Sequence, residues 1–179
     1  TLDRCPLHPW GGCTLARHGT YERVRPPGTL VARWYCALGH CTFSLLPDCF
    51  AARLSGSLEE AESAVALVES ASTREAAADK LRLDIELPGA LRWIHHRFQP
   101  IHSVLSLLKG AMPDRFAACE PTITSFRFHL DTDSVLLSLR EIAVDLLPCL
   151  PPPLGFRPPS SLGGEHKRPH QQETGADPP

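Results

Sequence analysis

No apolar run in this sequence approaches the length needed to cross a bilayer, and no segment has the apolar centre of a secretory leader. These two gaps point to a cytoplasmic protein that does not enter a membrane, in a compartment where thiols stay reduced. An excess of charge is missing too. The formal net charge is -2, which excludes a histone-like coating of nucleic acid and confines any phosphate contact to local patches. Catalytic sets are also absent. Asp3, Glu22 and Asp48, the acids nearest the cysteine clusters, form no group suited to a hydrolytic metal, and no cysteine stands where it would be activated as a nucleophile. A protein without enzymatic chemistry is therefore expected.

What the chain does have is cysteine and histidine in clusters. Of its seven cysteines, Cys49, Cys119 and Cys149 are scattered and read as plain buried thiols. The others form two groups, Cys5/His8/Cys13 and Cys36/His40/Cys41, with 22 residues between Cys13 and Cys36. Zn²⁺ takes four nitrogen or sulfur donors at the corners of a tetrahedron, and paired turns commonly supply them two by two. The expected ligands are Cys5, Cys13, Cys36 and His40. His8 can replace Cys13, because Cys5-x₂-His8 has the better turn spacing, and Cys41 is the other reserve, although beside a liganded His40 it would point away.

The segment between the clusters is β-patterned. Thr20 to Val24 and Thr29 to Tyr35 flank Arg25-Pro26-Pro27-Gly28, a turn signal, so a hairpin is expected. Arg17, Arg23 and Arg33 lie on or beside it, and residues 1–56 carry six arginines against three acids, a local balance of +3. These arginines are candidate phosphate contacts. So short a region, rich in Gly and Pro, cannot bury a core of its own and would depend on the metal.

Beyond residue 56 the pattern becomes helical. Ser57-Leu58-Glu59-Glu60 and Ser72-Thr73-Arg74-Glu75 both fit the capping box, predicting helices over about 58–70 and 73–81. A third helix follows Pro88, with Leu91, Ile94, Phe98, Ile101, Leu105 and Leu108 on one face. Pro100 should kink or split it, since proline donates no amide hydrogen bond. Residues 57–87 hold three basic and eight acidic side chains, a balance of −5, whereas 88–113 hold three basic and no acidic ones, a balance of +3. Two short helices and a basic third fit a helix-turn-helix whose last helix enters the major groove of double-stranded DNA. Arg92, His96 and Arg97 are its candidate contacts, with Trp93 packing beside the seam. Residues 114–150 repeat a helical pattern and carry three basic against six acidic side chains, so they should complete the core or meet a second copy in a homodimer rather than touch DNA. From residue 151 the chain is rich in Pro, Gly, Ser and Gln without apolar periodicity, which predicts disorder apart from anchors at Leu154 and Phe156.

Arg17-His18-Gly19-Thr20-Tyr21 after the first cluster and Thr42-Phe43-Ser44-Leu45-Leu46-Pro47-Asp48 after the second resemble the amino-terminal zinc ribbon of bacterial insertion-sequence transposases. The resemblance covers about residues 5–50. Such ribbons typically carry a C-x-x-C-G-R-T-F-S stretch; counted back from Thr42, its second cysteine falls on Gly39, which makes His40 the implied substitute. Ala90 to Phe98 likewise resembles the third helix of transposase helix-turn-helix domains. The family's RNase H-like nuclease, with its three carboxylates for two metal ions, has no counterpart here. The expected fold class is thus α+β: a small zinc-ribbon β-hairpin over 1–50, a mainly α helix-turn-helix bundle over 57–110, accessory helices over 114–150 and a disordered tail over 151–179. The function this implies is DNA binding without catalysis, as in a regulator; an adaptor whose ribbon binds a protein is the other reading, and salt dependence separates them.

Overall fold

The computed structural model describes residues 4–8, 10–81 and 87–155. A small three-stranded antiparallel sheet is followed by helices, an α+β arrangement. Strands β1 (Leu15–Glu22), β2 (Leu30–Cys36) and β3 (Cys41–Ser44) lie in the order β1-β2-β3. The first two form the expected hairpin. Their register runs from Leu15↔Cys36 through Arg17↔Trp34 to Thr20↔Ala32, so three steps on β1 face two on β2. That extra residue is a bulge, and Gly19 at φ 78° supplies the left-handed backbone beside it. The turn closes with Arg23 N donating to Thr29 O at 2.9 Å and Gly28 N to the Glu22 carboxylate at 3.0 Å. The third strand was not foreseen. It returns directly from the second cluster, pairing Cys36 with Cys41 and Trp34 with Phe43.

Almost every residue of β1 is exposed, and in the whole of 4–44 only Cys5, Val31 and Cys36 are buried among the described residues. Solvent-excluded apolar area therefore contributes little here. The sheet is instead bolted to the segment over 50–56. Arg23 stacks over Phe50, 5.0 Å from the ring centre, and donates to the carbonyls of Leu54 at 2.8 Å, Gly56 at 3.3 Å and Ala51 at 3.4 Å.

Helix α1 (Leu58–Ser70) begins at the expected capping box: Glu60 N donates to Ser57 Oγ at 3.0 Å and Ser57 N to Glu60 Oε2 at 2.8 Å. Helix α2 (Arg74–Leu81) is short, and 82–86, the connection to the next helix, lies outside the described residues. Helix α3 (Leu87–Ala111) runs on through Pro100, so of the kink or split expected there the split does not occur. The ring removes one amide donor. Immediately beyond it Ile101, Val104, Leu105 and Leu108 are completely buried, and their packing outweighs that loss. Helices α4 (Pro113–Phe116), α5 (Ile123–Leu130) and α6 (Val135–Ile142) complete the body, followed by one 3₁₀ turn at Val144–Leu146.

One core joins α1, α3, α4, α5 and α6 around Leu58, Leu105, Phe116, Phe126, Leu136 and Leu139, with the two phenylalanine rings 5.0 Å apart. A smaller cluster of Ala77, Ala78, Ala90 and Ile94 joins α2 to the start of α3. The acids of α1 are not merely a solvated face. Glu62, 3% exposed, accepts from the amides of Val135 at 3.2 Å and Leu136 at 2.9 Å and pairs with Arg127 at 2.9 Å. Two turns later Glu69 accepts from Ile123 N at 2.8 Å and Thr124 N at 2.9 Å. Each carboxylate thus satisfies the free amides at the start of another helix, where negative charge is favoured.

Leu154 is completely buried in the core, so the first residues of the expected tail are packed. Gly155 lies so close to Leu150 that a Cβ would strike its carbonyl. Phe156 and the rest of the expected disordered tail, 156–179, lie outside the described residues.

Candidate metal centre

Cys5, His8, Cys13 and Cys36 bring one donor atom each to a single point, all within 4.8 Å of one another. Three come from the first turn and one from the second. The chain turns over 5–8, with His8 N donating to Cys5 O at 3.0 Å, so side chains at spacing three converge. Gly11 and Gly12, at φ 97° and 89°, then bring Cys13 back to the same place just ahead of β1. Cys36 ends β2, and its Sγ accepts the Gly39 amide at 3.2 Å. An amide aimed at a sulfur is the kind of outer contact that orients a thiolate ligand.

The distances suit a metal. His8 Nδ1 is 3.4 Å from Cys5 Sγ and 3.6 Å from Cys36 Sγ. Thiolate and imidazole at ordinary zinc bond lengths, set at a tetrahedral angle, stand about 3.6 Å apart. This Cys₃His group can hold a metal ion, and its donors fit zinc. The thiols already differ in acidity. Burial pushes Cys5 up, but hydrogen bonds from His8, the Leu7 backbone and the neighbouring sulfurs outweigh it and bring the thiol down to about 6. Cys13 goes the other way, raised to about 12 by burial and by Cys5 and Cys36.

His40, expected as the fourth ligand, is not in the group. It takes a left-handed turn at φ 47°, is exposed, and sets Nδ1 3.3 Å from the Tyr35 hydroxyl. His8 occupies the corner instead, joining Cys13 rather than replacing it. The signal was the Cys5-x₂-His8 spacing, which brings both side chains to one side of a turn. Cys41, the other reserve, stays outside the four as the cross-strand partner of Cys36, its thiol raised by burial and then by the charges of Cys36 and Cys5.

The candidate phosphate contacts are spread over two places. Arg17 is exposed on β1, and Arg33 is half-buried on β2. Arg23, tied to the carbonyls of Ala51, Leu54 and Gly56, is committed to the fold. Arg92 and His96, one helical turn apart, are exposed on α3 with His95 beside them. Arg97 turns from that face: it lies 3.7 Å over the Trp93 ring and donates to Ser55 Oγ at 3.1 Å. Trp93 packs, as expected, and carries this arginine.

Sequence reasoning missed Arg140, which is 5% exposed. Its guanidinium donates to the carbonyls of Pro153 at 2.8 Å, Phe50 at 3.1 Å, Leu154 at 3.2 Å and to that of Asp48. It joins α6, the exit of the sheet and the last packed residues. Burial lowers its pKa, with Asp48 and Cys49 opposing. Comparison with protein-family models, curated proteins and solved structures returns no match. Among the described residues no helix is long and apolar enough to cross a membrane.

Proposed function

We propose that this chain is a DNA-binding protein in which one zinc ion, held by Cys5, His8, Cys13 and Cys36, shapes a ribbon and the exposed basic face of α3 meets the duplex. The observation that carries the reading is the Cys₃His group with its tetrahedral spacing. Closed sites of four protein ligands are structural, and the ion would supply folding free energy to a sheet with almost no core. Catalysis has no part in this reading, because four protein donors leave no open position for a substrate. A reducing, cytoplasmic setting suits the free thiols.

The charge distribution supports the DNA contact. No acidic residue occurs from 87 to 113, so α3 presents Arg92, His95 and His96 without competing carboxylates. The acids of α1 that lie closest to the core are occupied by helix amides. The likeness of residues 5–50 and 90–98 to the targeting half of insertion-sequence transposases points the same way. On this reading the chain regulates or targets rather than cuts.

An interaction adaptor remains the second reading, favoured by Phe128 at 91% exposed on α5. Duplex binding measured against salt separates the two. Changing Arg92 and His96 together to Ala should weaken duplex affinity by about 5- to 100-fold and flatten the salt dependence, with thermal stability unchanged. Unaltered affinity in that variant, or wild-type affinity that ignores salt, would favour the adaptor.

A further inference from the structure

Trp10 stands beside the metal centre with 97% of its surface exposed, the highest value among the large apolar side chains described. An indole can bury some 150 to 250 Å², so leaving it in water forgoes a large apolar gain unless a ligand covers it. It borders a recess of about 480 Å³ lined by Arg4, Cys5, His8, Gly11, Cys13 and Leu15, within the usual range of small-ligand clefts. Charge narrows the choice of ligand. Between residues 4 and 47 the only acid is Glu22, at the far end of β1 and bonded to the Gly28 amide at 3.0 Å. Arg4 is exposed at the mouth of the recess, and Arg17, also exposed, follows Leu15 by two residues and so shares its side of β1.

Phe128 provides the contrast. It is almost as exposed, but its surroundings include Asp131 and Asp133, which would repel a phosphate. Among the described residues, Trp10 has the most exposed aromatic face, and no described acid lines the recess that it shares with Arg4. Aromatic faces beside positive charge bind unpaired bases, since every base has a surface to stack and a phosphate to neutralise.

We propose that Trp10 is a stacking platform for one unpaired nucleobase of DNA, with Arg4 and Arg17 taking the adjoining phosphates. This role deepens the DNA-binding reading and rests on it for the class of ligand. The ribbon would then engage a melted, bulged or single-stranded position while α3 holds paired DNA. The metal fixes the platform by fixing the turn from Cys5 to Cys13 from which Trp10 projects.

The test uses the full chain, loaded with zinc, and three fluorescently labelled oligonucleotides: a perfect duplex, the same duplex with a three-nucleotide bulge, and its single strand. Anisotropy titrations compare the wild type with Trp10→Ala and Trp10→Phe, with metal content checked for each. Trp10→Ala should lose about tenfold or more in affinity for the bulged duplex and the single strand, and less than about twofold for the perfect duplex. Trp10→Phe should restore most of the loss. Equal losses on all three oligonucleotides, or no loss on any, would overturn the platform. Wild-type binding to the perfect duplex with no preference for unpaired sites would overturn the platform alone, whereas absence of binding to all three would sink the DNA reading with it.

Discussion

His8 and His40 hold similar places in the sequence and very different ones in the molecule. Both sit three or four residues beyond a cysteine, yet only the His8 ring reaches the sulfurs, at 3.4 and 3.6 Å. His40 spends its ring on Tyr35. His8→Ala should therefore lower the metal content well below that of the unmodified chain under chelator competition, whereas His40→Ala should keep the unmodified chain's content. Metal analysis after dialysis against a weak chelator reads the difference directly. Three of the four donors were legible in the sequence because cysteine is rare enough to stand out in pairs. The fourth was misplaced because the count was anchored on Thr42 and took no account of the left-handed backbone at His40, which no residue pattern announces.

At the scale of elements, α1 was the most legible and also the most misleading. Its start follows from a capping box that satisfies the Ser57 and Glu60 amides locally, so tertiary structure had nothing to override. Its acids entered the sequence reading only as a charge balance, yet Glu62 and Glu69 lie seven residues apart on one face and cap α6 and α5. A helix cap between distant segments leaves no local signature. Replacing Glu62 with Ala would leave two buried amides and the Arg127 guanidinium without their acceptor, and should cost about 3 to 5 kcal/mol in urea unfolding. A loss below about 1 kcal/mol would mean that water or another group takes its place. Strand β3 was illegible for a related reason: four residues are too few to show alternation, and only pairing with β2 makes them a strand. At Pro100 the split alternative did not occur. Its local preference is real, but four buried aliphatic side chains on the following turns prevail.

Across the whole molecule, the segment between the sheet and α1, to which the sequence assigned no role, is clamped from both sides. Arg23 reaches it from the sheet and Arg140 from α6. Arg140 satisfies four carbonyls that nothing else described reaches with a side chain, at Asp48, Phe50, Pro153 and Leu154. Arg140→Ala should cost about 3 kcal/mol or more, because buried acceptors lose their donor and a cavity opens. Limited proteolysis should then cut first within residues 45–57. Protection of that segment equal to the wild type would show that Arg23 alone secures it.

The double clamp also sets how the two basic regions would explore a duplex. Were residues 45–57 a loose tether, ribbon and α3 could each find their own stretch of DNA, and the sequence between those stretches could vary in length at small entropic cost. Held by two arginines, they would act on the proposed DNA partner as the jaws of a fixed caliper. On the DNA-binding proposal their points of contact would have to keep a constant helical phase, so inserting half a turn of DNA between them would turn one jaw's target to the opposite side of the double helix.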